Sequence, residues 1–288
     1  MRPDSPDVTA RIAALTIYPV KSCAGVALDS ALLLETGLDL DRAWMVVDAQ
    51  GVFVSQRELP RMALVQPQIR ASEVVLRAPG MLALHLAMGQ VEHPARVRVW
   101  DDEVDAWDMG ALAAQWFTDF LGQSLRLVRF DPEVRRLSSL KWTDGVEAPN
   151  QFSDGFPLLV VSQASLDGLN QRLLAAGRAA IEMARFRPNL VLSGIEAHDE
   201  DRLDTLWIDT ADGVVQLRPG KPCVRCPIPN IDPATAVIDP VVGDTLQVYR
   251  QDSRLNGAVT FGMNAIVLQG DGATLRVGQT VLADFRFD

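Results

Sequence analysis

The sequence predicts a β-dominated α+β fold that closes on itself in barrel-like fashion, with a few helices. Three observations lead there. Short apolar or β-branched runs punctuated by Gly, Asp and Pro recur along most of the chain, the pattern of strands joined by turns. Apolar residues at helical spacing stand out in only two places. The 288 residues, 48% hydrophobic and 22% charged, have the balance of a globular chain with room for about two domains.

Strands are expected over residues 12–18, 32–35, 43–47 and 52–55, with DAQG at 48–51 as a hairpin turn. More follow over 64–70, 73–77, 82–87 and 96–100, where the alternation of RVRVW marks a half-exposed strand. The first helix spans Ala111–Leu121, with Leu112, Trp116 and Phe120 on one face and Gly122 as its stop. After a strand over 126–130, residues 131–155 are polar and turn-rich and read as a long loop over the surface or the site. The second helix has Ser162 as N-cap, Leu166, Leu169, Leu173 and Leu174 on a shared face, and Gly177 at its end. FRPNLVLSG, residues 205–208 and 213–217, LQVYR, NAIVLQ and ATLRVGQTVLADF complete the strands.

Bulk properties exclude several classes. A formal charge of −10 argues against a nucleic-acid face, which draws its affinity from clustered Lys and Arg, so small molecules or proteins are the expected partners. No apolar run approaches the roughly 18 residues of a membrane span, and MRPDSPDVTA lacks a signal-peptide pattern. A cytoplasmic protein with no membrane partner is expected, and in a reducing compartment its three cysteines point to metal binding or chemistry rather than disulfides. Neither a dinucleotide-binding glycine motif, a phosphate-binding P-loop nor a G-x-S-x-G elbow occurs. His85 in an apolar strand, His93 in a VEHP turn and His198 in the AHDED surface run fall into no triad or metal pattern.

Chemistry concentrates in KPCVRCPIPNIDP, from Lys221 to Pro233, which holds Cys223, Cys226, two cations and four prolines. Four ring-locked positions without backbone donors argue for a stiff irregular loop rather than helix or inner strand. The C-x-x-C pair has several readings: half a structural zinc site, a dithiol redox pair, two inert thiols, or one thiolate acting as a soft metal ligand with Arg225 and Lys221 steadying its charge. Of only three lysines, Lys21 and Lys221 lie beside cysteines, in VKSC and KPC. A neighbouring ammonium raises the thiolate fraction, which favours the last reading.

YPVKSCAGV (18–26), DRAW (41–44), SQRELPRM (55–62), FSDGFPLLVVSQASLDGLN (152–170), FRPN (186–189) and KPCVRC occur in the order found in MOSC proteins that carry an N-terminal β-barrel domain. The resemblance runs from about Ile12 to Phe287. This family includes the C-terminal domain of the molybdenum cofactor sulfurase and the mitochondrial amidoxime reducing component. The resemblance implies a MOSC N-terminal β-barrel domain over 1–127 packed on a MOSC β-barrel domain over 128–288, with the molybdenum–molybdopterin cofactor in a cleft between them. It assigns Cys226 as the metal ligand. Lys21, Ser22, Arg42, Asp154, Arg187, Asn189 and Arg225 are assigned to the pterin and its phosphate.

Arg57 and Arg61 are further candidates for the same basic pocket, Cys23 and Cys223 are neighbours without a ligand role, and substrate-facing residues are expected in the 137–151 loop. The activity implied is two-electron reduction of N-hydroxylated compounds such as amidoximes, hydroxylamines or N-hydroxylated bases, with Cys226 as ligand and Asp154 as a candidate proton relay. A non-catalytic cofactor or sulfur carrier is the alternative. FSDGF departs from the family in placing Gly155 where a small polar residue is commoner. Neither a membrane anchor nor a cysteine-rich iron–sulfur extension is expected, so electrons would come from a separate iron–sulfur, haem or flavin protein.

Overall fold

The computed structural model describes residues 5–286, so residues 1–4 of the expected leaderless start and Phe287 at the end of the motif match lie outside the described residues. Its largest feature is a closed barrel. Around it run Leu158–Ser162, Leu190–Ser193, Val8–Ile17, Thr280–Phe285, Leu203–Thr210, Gly213–Val224 and Ala258–Gln269, the last pairing back onto the first. Leu158–Ser162 and Leu190–Ser193 are parallel, and the other pairs in the ring are antiparallel. Alternation explains the closure: Ala10, Ile12, Leu206, Ile208, Val215 and Leu217 send every second side chain into one buried cluster.

The first strand, Val8–Ile17, belongs to this ring although it precedes residue 127, and it stitches the start of the chain to Leu190–Ser193 and Thr280–Phe285. Beside the ring, Trp44–Asp48, Leu125–Phe130, Asp102–Asp108 and His93–Val99 form an antiparallel sheet, and Gln66–Ile69, Glu73–Arg77 and Leu84–Ala87 form a meander. Helix α1 (Ala111–Leu121) buries Ala113, Trp116, Phe117 and Phe120 in the core they share. The expected β-dominated α+β architecture is the one observed.

Several local expectations need correction. Leu112 is exposed, and the buried face of α1 is carried by Ala113 and Phe117 together with Trp116 and Phe120. In α2 (Gln163–Ala175), Leu166, Leu169 and Leu173 are buried but Leu174 faces solvent, and the helix ends two residues before Gly177. Ser162 takes the N-cap position without a side-chain cap bond; its amide instead donates to buried Glu200 at 3.1 Å. Thus Asp199 and Glu200 of the AHDED run are buried, not solvated. LQVYR is the end of a third helix, α3 (Val241–Tyr249), rather than a strand.

The cysteine segment is the most instructive correction. Lys221, Pro222, Cys223 and Val224 belong to the ring strand Gly213–Val224, and only Cys226 lies in the irregular stretch beyond it. Prolines are tolerated because register shifts break the ladder between Pro219 and Lys221 and between Pro222 and Val224, where a missing N–H costs no bond. Gly220 is required there: a Cβ would stand 2.4 Å from the carbonyl oxygen of Trp142, which crosses the bulge.

Candidate functional site

A cleft with a cavity volume of about 110 Å³, open to solvent, lies between the ring and the N-terminal sheets. Its lining includes Lys21, Ser22, Arg42, Asp154, Arg187, Asn189, Arg225 and Cys226, which the structure brings together from five separated stretches of chain. Cys223 and Arg57 join them. Cys23 and Arg61 do not: Cys23 is fully buried, with its thiol pushed up to about 12 by burial, and Arg61 lies over the Phe120 ring at 4.4 Å. No residue of the 137–151 loop lines the cleft.

Lys21 and Ser22 are delivered just after the first ring strand, where the Lys21 amide donates to the Trp44 carbonyl at 2.8 Å. The buried Lys21 ammonium donates to the Phe152 carbonyl at 2.7 Å and to Asp154 Oδ1. Burial pulls its pKa down, and Asp154 opposes that. Burial also works against ionisation of Asp154, yet Lys21 and the Trp100 indole N–H, 3.2 Å away, hold the carboxyl below the usual carboxylate range. The Asp154 side chain is 66% exposed, so water screens this pair and it fixes geometry more than it stabilises the fold. Gly155 beside it has φ +132°, a conformation a small polar residue would adopt only under strain.

Arg42 reaches across the cleft. Its guanidinium donates to Asp41 Oδ2 at 2.5 Å, Asn189 Oδ1 at 3.1 Å and the Arg187 carbonyl at 3.2 Å. Asn189 is buried and spends its carboxamide on structure, accepting also from the Leu159 amide and donating to the Thr16 carbonyl, both at 3.1 Å. It therefore aligns Arg42 with the ring. Arg187 donates to the Cys23 carbonyl at 2.6 Å, and burial, with Arg42 nearby, lowers it to about 10, still cationic at neutral pH.

Arg225 bonds Cys223 Sγ at 3.0 Å and the Phe186 carbonyl at 3.0 Å, while its Nε is buried with no partner. Cys226 follows it, half-buried, on the cleft wall. Ser22, Arg42 and Arg187 have φ of +66°, +51° and +59°, left-handed conformations that cost non-glycine residues energy. Such strain gathers where side chains must point at a ligand rather than where they fold best.

The electrostatics are one-sided. Lys21, Arg42, Arg57, Arg187 and Arg225 face the cleft against Asp154 as the one lining carboxylate, in a chain of net charge −10. Such a cradle takes an anion. The thiol of Cys226 adds a soft donor, and among the described residues no group of three or more His, Cys, Asp or Glu builds a protein-only metal cage. Sequence reasoning did not find Phe53, Ser55, Ser153, Phe156, Phe186 and Asn264, which also line the cleft. Phe186 opens the quoted FRPN motif, Ser55 opens SQRELPRM, and Ser153 and Phe156 lie in FSDGF, so the signal for those four was present.

The 137–151 loop braces the site from outside. Buried Arg136 donates to Asn150 Oδ1 at 2.6 Å and to the carbonyls of Gln151 and Ser153 at 2.8 and 2.7 Å, setting the path that presents Asp154.

Residues 9–124 match the MOSC N-terminal beta barrel domain and residues 147–282 match the MOSC domain. The chain is 34% identical over 286 residues to mitochondrial amidoxime-reducing component 1 of Homo sapiens, covering 94% of this chain and 82% of that protein. To mitochondrial amidoxime reducing component 2 of Bos taurus it is 35% identical over 251 residues, covering 83% and 72%.

Proposed function

Because the chain belongs to the MOSC family with an N-terminal MOSC barrel domain, we propose that it is a molybdenum-cofactor-dependent reductase of N-hydroxylated compounds. The observation that carries this reading is the meeting of Cys226 with Lys21, Arg42, Arg187 and Arg225 in one cleft. The donor set suits an anionic, sulfur-chelated metal: guanidiniums for phosphate and pterin, an orphaned Arg225 Nε, and a thiol for a soft metal.

When bound, the cofactor would supply the two electrons for reduction of the N–O bond. Cys226 would hold the metal as thiolate rather than act as a nucleophile. Arg42 and Arg187 clamp the anionic part, with Asn189 fixing Arg42, while Arg225 anchors the wall from which Cys226 projects. Asp154 stays ionised at neutral pH and therefore positions Lys21 and accepts protons only transiently, so the protons come from solvent. The balance is one N-hydroxy group, two electrons and two protons giving the N–H compound and water. The electrons arrive from a separate iron–sulfur, haem or flavin protein.

The test is metal and pterin analysis of protein purified from a molybdenum-replete host, together with reduction of benzamidoxime by a reduced viologen dye. Stoichiometric molybdenum with turnover supports the reading. Bound cofactor without turnover makes the protein a carrier, and absence of molybdenum overturns the assignment altogether.

A further inference from the structure

Outside the cation cradle, the cleft carries a feature that cofactor binding does not explain. Residues 100–101 close the two-residue turn between His93–Val99 and Asp102–Asp108, whose ends pair as Val99 with Asp102. Trp100 occupies that turn with φ +56°, at a position where glycine or asparagine would sit with little strain. A bulky aromatic there loses backbone energy, and with 42% of its surface exposed it recovers only part of what a buried tryptophan would gain.

What the position gains is direction. The Trp100 ring meets the Phe53 ring at 5.0 Å between centroids, the Arg57 guanidinium lies 4.5 Å over Trp100, and the indole N–H reaches Asp154. Phe53, Arg57 and Asp154 all line the cleft, so Trp100 extends its wall outward into solvent. Asp154, the one carboxylate lining the cleft, is paired with Lys21, while Asp101 and Glu103 stand beside Trp100 on its outward side, so the side turned to the cleft is π-faced and cation-backed.

We propose that Trp100 and Phe53 form a stacking platform at the mouth of the cleft that selects planar, ring-borne N-hydroxylated substrates over aliphatic ones. The proposal rests on the reductase reading for its chemistry but not for its binding. Flat conjugated rings stack on such faces through dispersion and quadrupole terms that a short aliphatic chain lacks. Arg57, its guanidinium Nε bonded to Ser55 Oγ at 3.0 Å, keeps Trp100 from folding back.

The experiment compares wild type, Trp100→Ala and Trp100→Phe on benzamidoxime and acetamidoxime. The preference for the aromatic compound, as a ratio of kcat/KM, is expected to fall about tenfold in Trp100→Ala, mostly through KM, and to survive in Trp100→Phe, which keeps a ring but loses the Asp154 bond. Loss in both variants would make Trp100 a positioner of Asp154 and overturn the platform. Tryptophan fluorescence of the purified protein, titrated with benzamidoxime without reductant, gives a readout independent of turnover. Saturable quenching in wild type, together with a lower benzamidoxime affinity in Trp100→Ala measured by calorimetry because that variant lacks the reporting indole, supports the platform even if neither compound is reduced, in which case the reductase reading alone fails. No saturable quenching, or equal affinity in Trp100→Ala, overturns the platform.

Discussion

Arg42 and Arg187 share one aromatic ring: their guanidinium carbons stand 4.4 and 4.2 Å from the centroid of Tyr18, and Arg42 donates to the Arg187 carbonyl at 3.2 Å. Two cations held this close repel each other unless an anion lies between their outer edges. Tyr18 supplies part of the compensation as a buried π-face, its hydroxyl pushed up to about 12 by burial, so it stays neutral.

Replacing either member should therefore weaken anion capture more than it weakens the fold. Arg187→Ala is expected to lower molybdenum content per protein at least about tenfold, the scale of one lost charge-assisted pair. Elemental analysis alongside a circular dichroism spectrum checks it. Full occupancy in a folded Arg187→Ala protein would remove Arg187 from the cradle.

The two cleft cysteines should behave differently. Cys226→Ser is expected to stay folded and lose turnover with the viologen dye, because a serine hydroxyl is a hard, protonated donor where a soft thiolate is needed. Cys223→Ser should keep most of the cofactor: its sulfur accepts from Arg225 at 3.0 Å, and a hydroxyl oxygen can do the same. Equal loss in both variants would favour a dithiol mechanism over ligation.

How much of this was legible in the sequence differs by residue. Lys21, Arg42, Asp154, Arg187 and Cys226 came from ordered motifs; no spacing rule could have joined residues more than 200 positions apart. The strand Asp102–Asp108 escaped because its outward positions are carboxylates and only Val104 and Ala106 are fully buried, so its alternation is faint. Helix α3 was read as a strand because LQVYR is too short to separate the two periods. Pro219 and Pro222 concealed an inner strand because bulges, which depend on the partner strand, removed the bonds they could not make.

Backbone strain at Ser22 is separable from its role. Ser22→Gly removes the left-handed penalty at φ +66° and is expected to stabilise the protein by about 1 kcal/mol, raising Tm by a few degrees. The hydroxyl is lost at the same time, so cofactor retention should drop while Tm rises. Thermal unfolding of cofactor-free protein isolates the first effect, and a fall in Tm would show that the Ser22 side chain supports the fold.

Buried Glu200 gives a pH signature. Burial raises its carboxyl to about 7 from 4.5, although Ser165 Oγ and the Ser162 amide bond it. A raised folded value means the native state binds the extra proton. Its stabilising contribution is then complete below about 4.5 and is lost as pH climbs through about 7. His198, lowered to about 4 by burial and by Arg250 and Arg172, acts in the opposite sense between about 4 and 6.5. The window above pH 6.5 therefore lies beyond His198. From there to about pH 8 wild type should lose roughly 1 kcal/mol in urea unfolding, and Glu200→Gln should flatten that slope.

Arg136 makes the sharpest separation between bracing and binding, because it touches no part of the cleft wall except through backbone. Its guanidinium is buried and gathers Asn150, Gln151 and Ser153 on one side and Asp102 Oδ2, at 2.7 Å, on the other. Truncation takes the Arg136 donor from the Gln151 and Ser153 carbonyls, so Arg136→Ala should cost about 2–4 kcal/mol in denaturant unfolding. The same change frees the segment carrying Asp154, and through it the Lys21 ammonium. Cofactor content should fall although every cradle residue is intact, and Arg136→Lys should recover little, since an ammonium cannot span partners on both sides of a planar fork. If Arg136→Ala unfolds more easily yet keeps full molybdenum, the 150–154 segment is positioned by other contacts and the brace is purely structural.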